Sequence, residues 1–250
     1  MTRKEAEMLL KSAVDFQSKS ALAREKSREQ YRKAEKEPEN RLRITIDGLI
    51  SVIAERFTQK IDKVTPEISY QLGVSVSFVR THFIVYDLIM EGCIVEAIVL
   101  IRNQLESLAR LHELDSKPLA KLAGQVPNIQ NVLKGQTGRL YGNLSEVAHF
   151  SKPRVSELLH VVEDGERRGP SLLPVFHERN FAAFDMNCFI AIYFLAWLID
   201  KQSTWYPGYD NGRDKQLLGH CAALALECGV IQFPEEPVNQ PVADFQAPGE

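Results

Sequence analysis

At 250 residues the chain is long enough for one large core or two modest ones, and its 44% hydrophobic and 25% charged content is that of a soluble globular protein. A net charge of -3 argues against a general electrostatic attraction to nucleic acid, while leaving room for a local basic patch. Cys93, Cys188, Cys221 and Cys228 show no CxxC spacing and sit among apolar residues, which favours small buried hydrophobes in a reducing compartment over a disulfide framework.

The opening Met1-Thr2-Arg3-Lys4-Glu5 lacks the apolar segment of a secretory signal. Tyr86 to Ile101 and Ala182 to Ile199 are apolar, but Asp87, Glu91 and Glu96 interrupt the first, and Asp185 and Asn187 the second. Neither offers a clean run of about 20 apolar residues. Both are expected as core helices of a cytoplasmic protein with no membrane partner.

Residues 3 to 37 are charge-dense and free of glycine and proline, with Pro38 as the breaker. The segment is expected to be a polar N-terminal helical arm over 1–38. Its apolar content is thin after Leu22, so it either stays solvated or binds a protein partner, a second copy included. From Asn40 a second helix shows Ile44, Leu49, Ile50, Ile53, Ala54, Phe57 and Ile61 at helical spacing, ending near Pro66. A short piece to Leu72 stops at Gly73. Ser75 or Ser77 then caps one long helix reaching about Leu114, the apolar centre of the fold.

Residues 115 to 135 read as a loop punctuated by Pro118, Gly124, Pro127 and Gly135, followed by a helix over roughly 137–150. Two apolar runs, Leu158 to Val162 and Ser171 to Phe176, flank a Gly-containing polar turn and predict a hairpin within 157–176. A bulky aromatic helix follows from Glu178 to Lys201, then a last helix from Arg213 to Cys228. The tail, 233–250, carries four prolines and no Lys or Arg, the composition of a disordered segment. The fold class expected is mainly α, a helical bundle with a long central helix and one small β-hairpin, residues 39–232 forming a single domain.

One polar cluster stands out. Tyr141, Ser145 and His149 fall at i, i+4 and i+8 on one helical face. Arg102, Glu106, Arg110 and Glu113 share a strip of the preceding long helix. The plain reading of that strip is a salt-bridge ladder on a solvated face. The sharper reading notes that Arg102 follows Ala97-Ile98-Val99-Leu100-Ile101, where a partly buried cation needs acceptors that Glu106, Tyr141 and Ser145 can supply. Histidine titrates in the range of a general base, and Ser145 is within reach of His149, but no third member of a hydrolytic triad is identifiable. The candidate catalytic set is Arg102, Glu106, Tyr141, Ser145 and His149.

The pattern Arg-x-x-x-Glu late in a long apolar helix, then Tyr-x-x-x-Ser-Glu-x-x-His in a later one, resembles an uncharacterised bacterial helical family distantly similar to HEPN-type proteins. The resemblance covers roughly residues 75 to 200 and implies a place in toxin–antitoxin or phage-defence systems. It makes Arg102, Glu106, Tyr141, Ser145 and His149 the motif positions. Active HEPN ribonucleases carry an Arg followed by a His after four to six residues, whereas here Arg139 to His149 and Arg102 to His112 are both too long. The resemblance therefore implies a non-catalytic protein that binds a protein or nucleic-acid partner, with a divergent ribonuclease or metal-dependent hydrolase as the alternative.

Glu146 with His149 and Glu157 with His160 are both Glu-x-x-His, the pairing that di-iron carboxylate bundles place on separate helices. Here a proline and few residues separate them, so no metal is expected. Arg167 and Arg168, with Lys152, Arg154 and Arg179 near His160 and His177, form a modest basic group without interleaved aromatics, a weak basis for nucleic-acid binding. No Gly-rich phosphate loop or dinucleotide fingerprint occurs, and no cofactor is expected.

Overall fold

The computed structural model describes residues 1–132, 137–159, 161–164 and 167–232. The chain is mainly helical. Its α-helices are α1 (Arg3–Ala34), α2 (Glu37–Ala54), α3 (Pro66–Met90), α4 (Ile94–Leu114), α5 (Leu119–Leu122), α6 (Ile129–Val132), α7 (Thr137–Ala148), α8 (Arg179–Trp205) and α9 (Gly212–Glu227). The expected disordered tail lies outside the described residues.

Local signals account for several starts. Thr2 and Glu5 form a reciprocal capping box on α1, Thr2 Oγ1 accepting from the Glu5 N–H and Glu5 Oε2 from the Thr2 N–H. Pro38 falls in the first turn of α2, where its missing N–H costs nothing. Thr65 caps α3, accepting from the Ile68 N–H at 3.2 Å, with Pro66 as the first helical residue. Gly73 therefore does not end a short piece, as expected, but lies within α3.

The single long helix expected from 75 to 114 is two helices. Its apolar residues run almost unbroken through the break, which hides it. The chain turns at Gly92, whose φ of +79° suits only glycine without strain. The Cys93 N–H reaches back to the Leu88 carbonyl at 2.9 Å and the Gly92 N–H to Ile89, the pattern of a left-handed helix C-terminus. A Cβ at Gly92 would lie 2.6 Å from the Val175 carbonyl oxygen and 2.7 Å from Ser27 Oγ. Space as well as backbone geometry thus selects glycine at this corner.

The core is built from α2, α3, α4, α8 and α9. Phe78 of α3 stacks on Phe194 of α8 with ring centroids 3.9 Å apart, and Phe184, Leu195 and Leu198 of α8 are buried in the same core as Ile98, Ile101 and Leu105 of α4. Both α3 and α8 are long and apolar enough to cross a membrane by length and composition. In α8 67% of the apolar window is buried inside the protein, the position of a core helix. The α3 window leaves Val76, Phe83 and Ile84 exposed.

Some of the polar groups that enter the core are paired, while others, such as Ser75 and Gln104, have side chains with no hydrogen-bond partner among the described residues. Arg56 meets buried Asp214 at 2.8 Å, and Tyr209 donates to the same carboxylate at 2.6 Å. Asp115, at the end of α4, accepts from Gln71 and Trp197 and pairs with Lys201, tying α3, α4 and α8 at one point. The four cysteines are free, two of them buried.

The region expected as a hairpin is organised differently. Residues Pro153–Leu159 form a 3₁₀ turn, and Val161–Asp164 pairs antiparallel with Arg167–Pro170, Val161 opposite Pro170. The ladder therefore occupies the expected turn, and Ser171 to Phe176 is not a strand. Of the apolar flanks only Val161 and Val162 pair; other residues of the flanks pack. Leu158 and Leu159 lie against the core, and Phe176 meets Tyr31 edge-on.

The N-terminal arm is shorter than expected. Tyr31 is fully buried, stacked on Phe181 at 4.9 Å, and Ser27 Oγ donates to the Met90 carbonyl at 3.0 Å. Arg28 joins Glu91 beside them. Burial raises the Tyr31 hydroxyl pKa far above its ordinary range, so this ring acts as core. The base of α1 therefore belongs to the body, and Arg3 to Leu22 extend past the α3–α4 corner with their side chains almost all exposed.

Candidate functional site

The candidate site forms where α7 crosses α4. Leu144, buried to 1% exposure, anchors α7 to the core, and the neighbouring stripe with Tyr141 meets Arg102 of α4. Arg102 Nη2 donates to the Tyr141 hydroxyl at 3.0 Å and pairs with Glu106 at 2.9 Å one turn along. Tyr141 in turn donates to Glu106 Oε1 at 2.9 Å, closing a three-membered ring of contacts. The Arg102 guanidinium also lies 5.2 Å from the centre of the Tyr141 ring. The hydrogen bond to Tyr141, with the charge of Glu106 behind it, raises the Arg102 pKa.

Arg102 Nη1 faces His149 Nε2 at 3.1 Å. Arginine has only donors, so in this contact Nε2 is the lone-pair nitrogen and the imidazole proton is on Nδ1. His149 itself is exposed and stands just beyond the end of α7. The next residue, Phe150, has φ +48°, the single non-glycine residue with positive φ among the described residues. It closes α7 where a glycine is usual, the Ser151 N–H reaching back to the Glu146 carbonyl at 3.1 Å. A bulky residue in that conformation is strained, and the strain fixes where His149 leaves the helix.

Ser145 lies on the same face, but its Oγ makes no hydrogen bond among the described residues, and neither does Arg102 Nε. Four of the five sequence candidates thus meet directly, and Ser145 lies among them without joining the network. Beside Tyr141 an open cleft of about 300 Å³ is lined by Val126, Pro127, Asn128, Ile129 and Gln130.

The strip on α4 forms two ion pairs, but the second does not lie on a solvated face. Arg110 and Glu113 are buried, 7% and 4% exposed, and lie 3.3 Å apart. Arg110 donates to the Leu122 and Gln125 carbonyls, and Glu113 accepts from the Asn128 N–H at 3.2 Å. This pair pins the segment that lines the cleft. Sequence reasoning missed that role because the covering loop carries no periodic signal.

For the metal alternatives, Glu146 bonds Lys152 and Glu157 is exposed, while His160 lies outside the described residues. Among the described residues no three His, Cys, Asp or Glu side chains converge on one point. In the basic group, Arg154, Arg167 and Arg168 lie outside the described side chains. His177 Nδ1 accepts from the Arg179 N–H at 3.0 Å, a local contact at the start of α8.

Chemically the assembled site offers a fixed cation, a hydroxyl poised between cation and carboxylate, and an exposed imidazole. No protein-family model, curated relative or solved structure matches the chain.

Proposed function

We propose that this is a non-catalytic HEPN-like helical protein that acts in the cytoplasm by binding a protein or nucleic-acid partner, in a bacterial defence or toxin–antitoxin setting. One observation carries the reading. Arg102 gives its terminal nitrogens to Tyr141, Glu106 and His149, so the cation that a reacting phosphate needs is already engaged within the protein. The cluster then serves as an interhelical lock that sets how α7 docks on α4. Partner contact falls to the N-terminal arm, where Met8, Leu9, Leu10, Phe16 and Leu22 are all exposed by half or more.

The test is an RNA cleavage assay on purified wild type and His149→Ala. The lock predicts no cleavage by either. Cleavage by wild type that disappears in the variant overturns it.

The alternative is a divergent ribonuclease or metal-dependent hydrolase using His149 with Arg102, Glu106 and Tyr141. It is favoured by one specific contact. Arg102 and His149, which are on separate helical segments, meet at 3.1 Å at the surface, with Tyr141 between them and the cleft. A pair that no sequence spacing shows is thus assembled by the fold. In that role His149 takes the attacking proton and Arg102 holds the developing charge. Iron, manganese and zinc all absent from purified protein would remove the metal-dependent form.

A further inference from the structure

The face by which α1 docks on the body continues outward along the arm. Ser27 is buried, Ala23 and Ser20 are partly buried, and the same stripe runs on through Phe16, Ala13, Leu9 and Ala6. The spacing alternates three and four residues throughout, which keeps one seam facing a partner helix. Beyond Ser20 nothing in the described protein covers it. Leu9 is 55% and Phe16 50% exposed on a helix of 32 residues, roughly 48 Å long. Helices in proteins gain most of their stability from packing an apolar face, so a projecting seam of this kind calls for a cover.

We propose that a second copy of this chain covers the seam, the two arms pairing antiparallel about a two-fold axis at Lys11. In this register each large residue meets a small one. Leu9 lies against the partner's Ala13, and Phe16 against the partner's Ala6. Charge agrees with size, because Glu5 on one flank faces the partner's Lys19. Ser12 faces the partner's Ser12, and Leu10 the partner's Leu10, across the axis. A parallel pair would instead put Lys19 beside the partner's Arg24 and stack Phe16 on the partner's Phe16, with every Ala opposite an Ala. Sliding the antiparallel pair by one heptad places Arg3 against the partner's Arg24. Met8 and Leu22 fall outside the seam and take no part.

The assignment rests on the arm being the partner-binding element, and its test is independent of the cleavage assay, so the two readings fail separately. Full-length wild type should run in light scattering at twice the 28.3 kDa chain mass at micromolar concentration. Leu9→Glu or Phe16→Glu should give the single-chain mass, and Leu22→Gln should not. None of these side chains is in the core, so melting of the body should be unchanged, which separates lost association from lost folding. Lys19→Glu should weaken the dimer and Glu5→Lys with Lys19→Glu should restore it. Ser12→Cys should give a disulfide-linked dimer under mild oxidation. A monomeric wild type overturns the proposal. So does a dimer that survives Leu9→Glu, or one in which Ser12→Cys fails to cross-link.

Discussion

Two arginine–glutamate pairs sit two turns apart on α4, with opposite surroundings. Arg110 and Glu113 are buried under the 122–128 segment, and every strong acceptor of Arg110 is a carbonyl or carboxylate of its own chain. Arg102 and Glu106 each keep about a fifth of their side-chain surface, 21% and 23%, and reach across to a tyrosine and an exposed histidine. The residue types and helix are the same; what differs is the cover. A buried ion pair fixes one arrangement because breaking it strands a charge, whereas a half-exposed pair can exchange partners at small cost. The first pair therefore builds the cleft wall, and the second is the one that can exchange partners.

The contrast is tested most sharply at Arg110. Arg110→Ala leaves Glu113 buried, with Lys117 at 3.8 Å as the remaining cation paired with it among the described residues. The expected loss is about 3–5 kcal/mol, read from denaturant unfolding. A loss below 1 kcal/mol would make the two pairs equivalent. Tyr141→Phe removes one hydroxyl shared by Arg102 and Glu106, with an expected loss of about 1 kcal/mol, or a Tm lower by roughly 2–4 °C. No change in Tm would mean that the ring contributes only packing and that the lock is absent.

Phe150→Gly relieves the positive φ and should raise stability by about 1 kcal/mol. Should the alternative enzyme reading hold, the same variant would lose activity as it gains stability, because His149 would no longer be held in place. His149→Ala is expected to shift stability by less than about 0.5 kcal/mol, since the ring is exposed and Arg102 keeps two other partners. A larger loss would place His149 with the buried pair, as structure rather than surface.

Much of the site was legible in the sequence. Tyr141, Ser145 and His149 repeat every fourth residue, and Arg102 directly follows an apolar run, so the crossing of two polar stripes could be expected before any coordinates. Ser145 shows the limit of the pattern, since a shared face places a hydroxyl without giving it a partner. The error at Arg110 and Glu113 has a related cause. Helical spacing says which side chains are neighbours along one helix, but not which loop lies over them. At Gly92 apolar residues on both sides masked a helix end, because a buried break looks like continuous core. In the 157–176 region the apolar runs predict strands, yet Leu158, Leu159 and Phe176 are drawn into side-chain packing, and the ladder begins only at Val161 and continues into the expected turn. Tyr31 falls within the expected polar arm over 1–38 because a single aromatic gives no periodicity.

The glycine corner also fixes an order of events. Ser27, Gly92 and Val175 come from three distant parts of the chain, and the seat of Tyr31 is made by Tyr86, Phe176 and Phe181. On the ribosome α1 emerges before every element it docks on, and the seat of its base is complete only once residues 175–181 have been made and placed. A helix made before the core helices is then among the last to be seated. In the finished protein the amides of residues 27–31 and 171–177 should exchange with solvent in one shared opening, while the outer arm exchanges by its own local fraying.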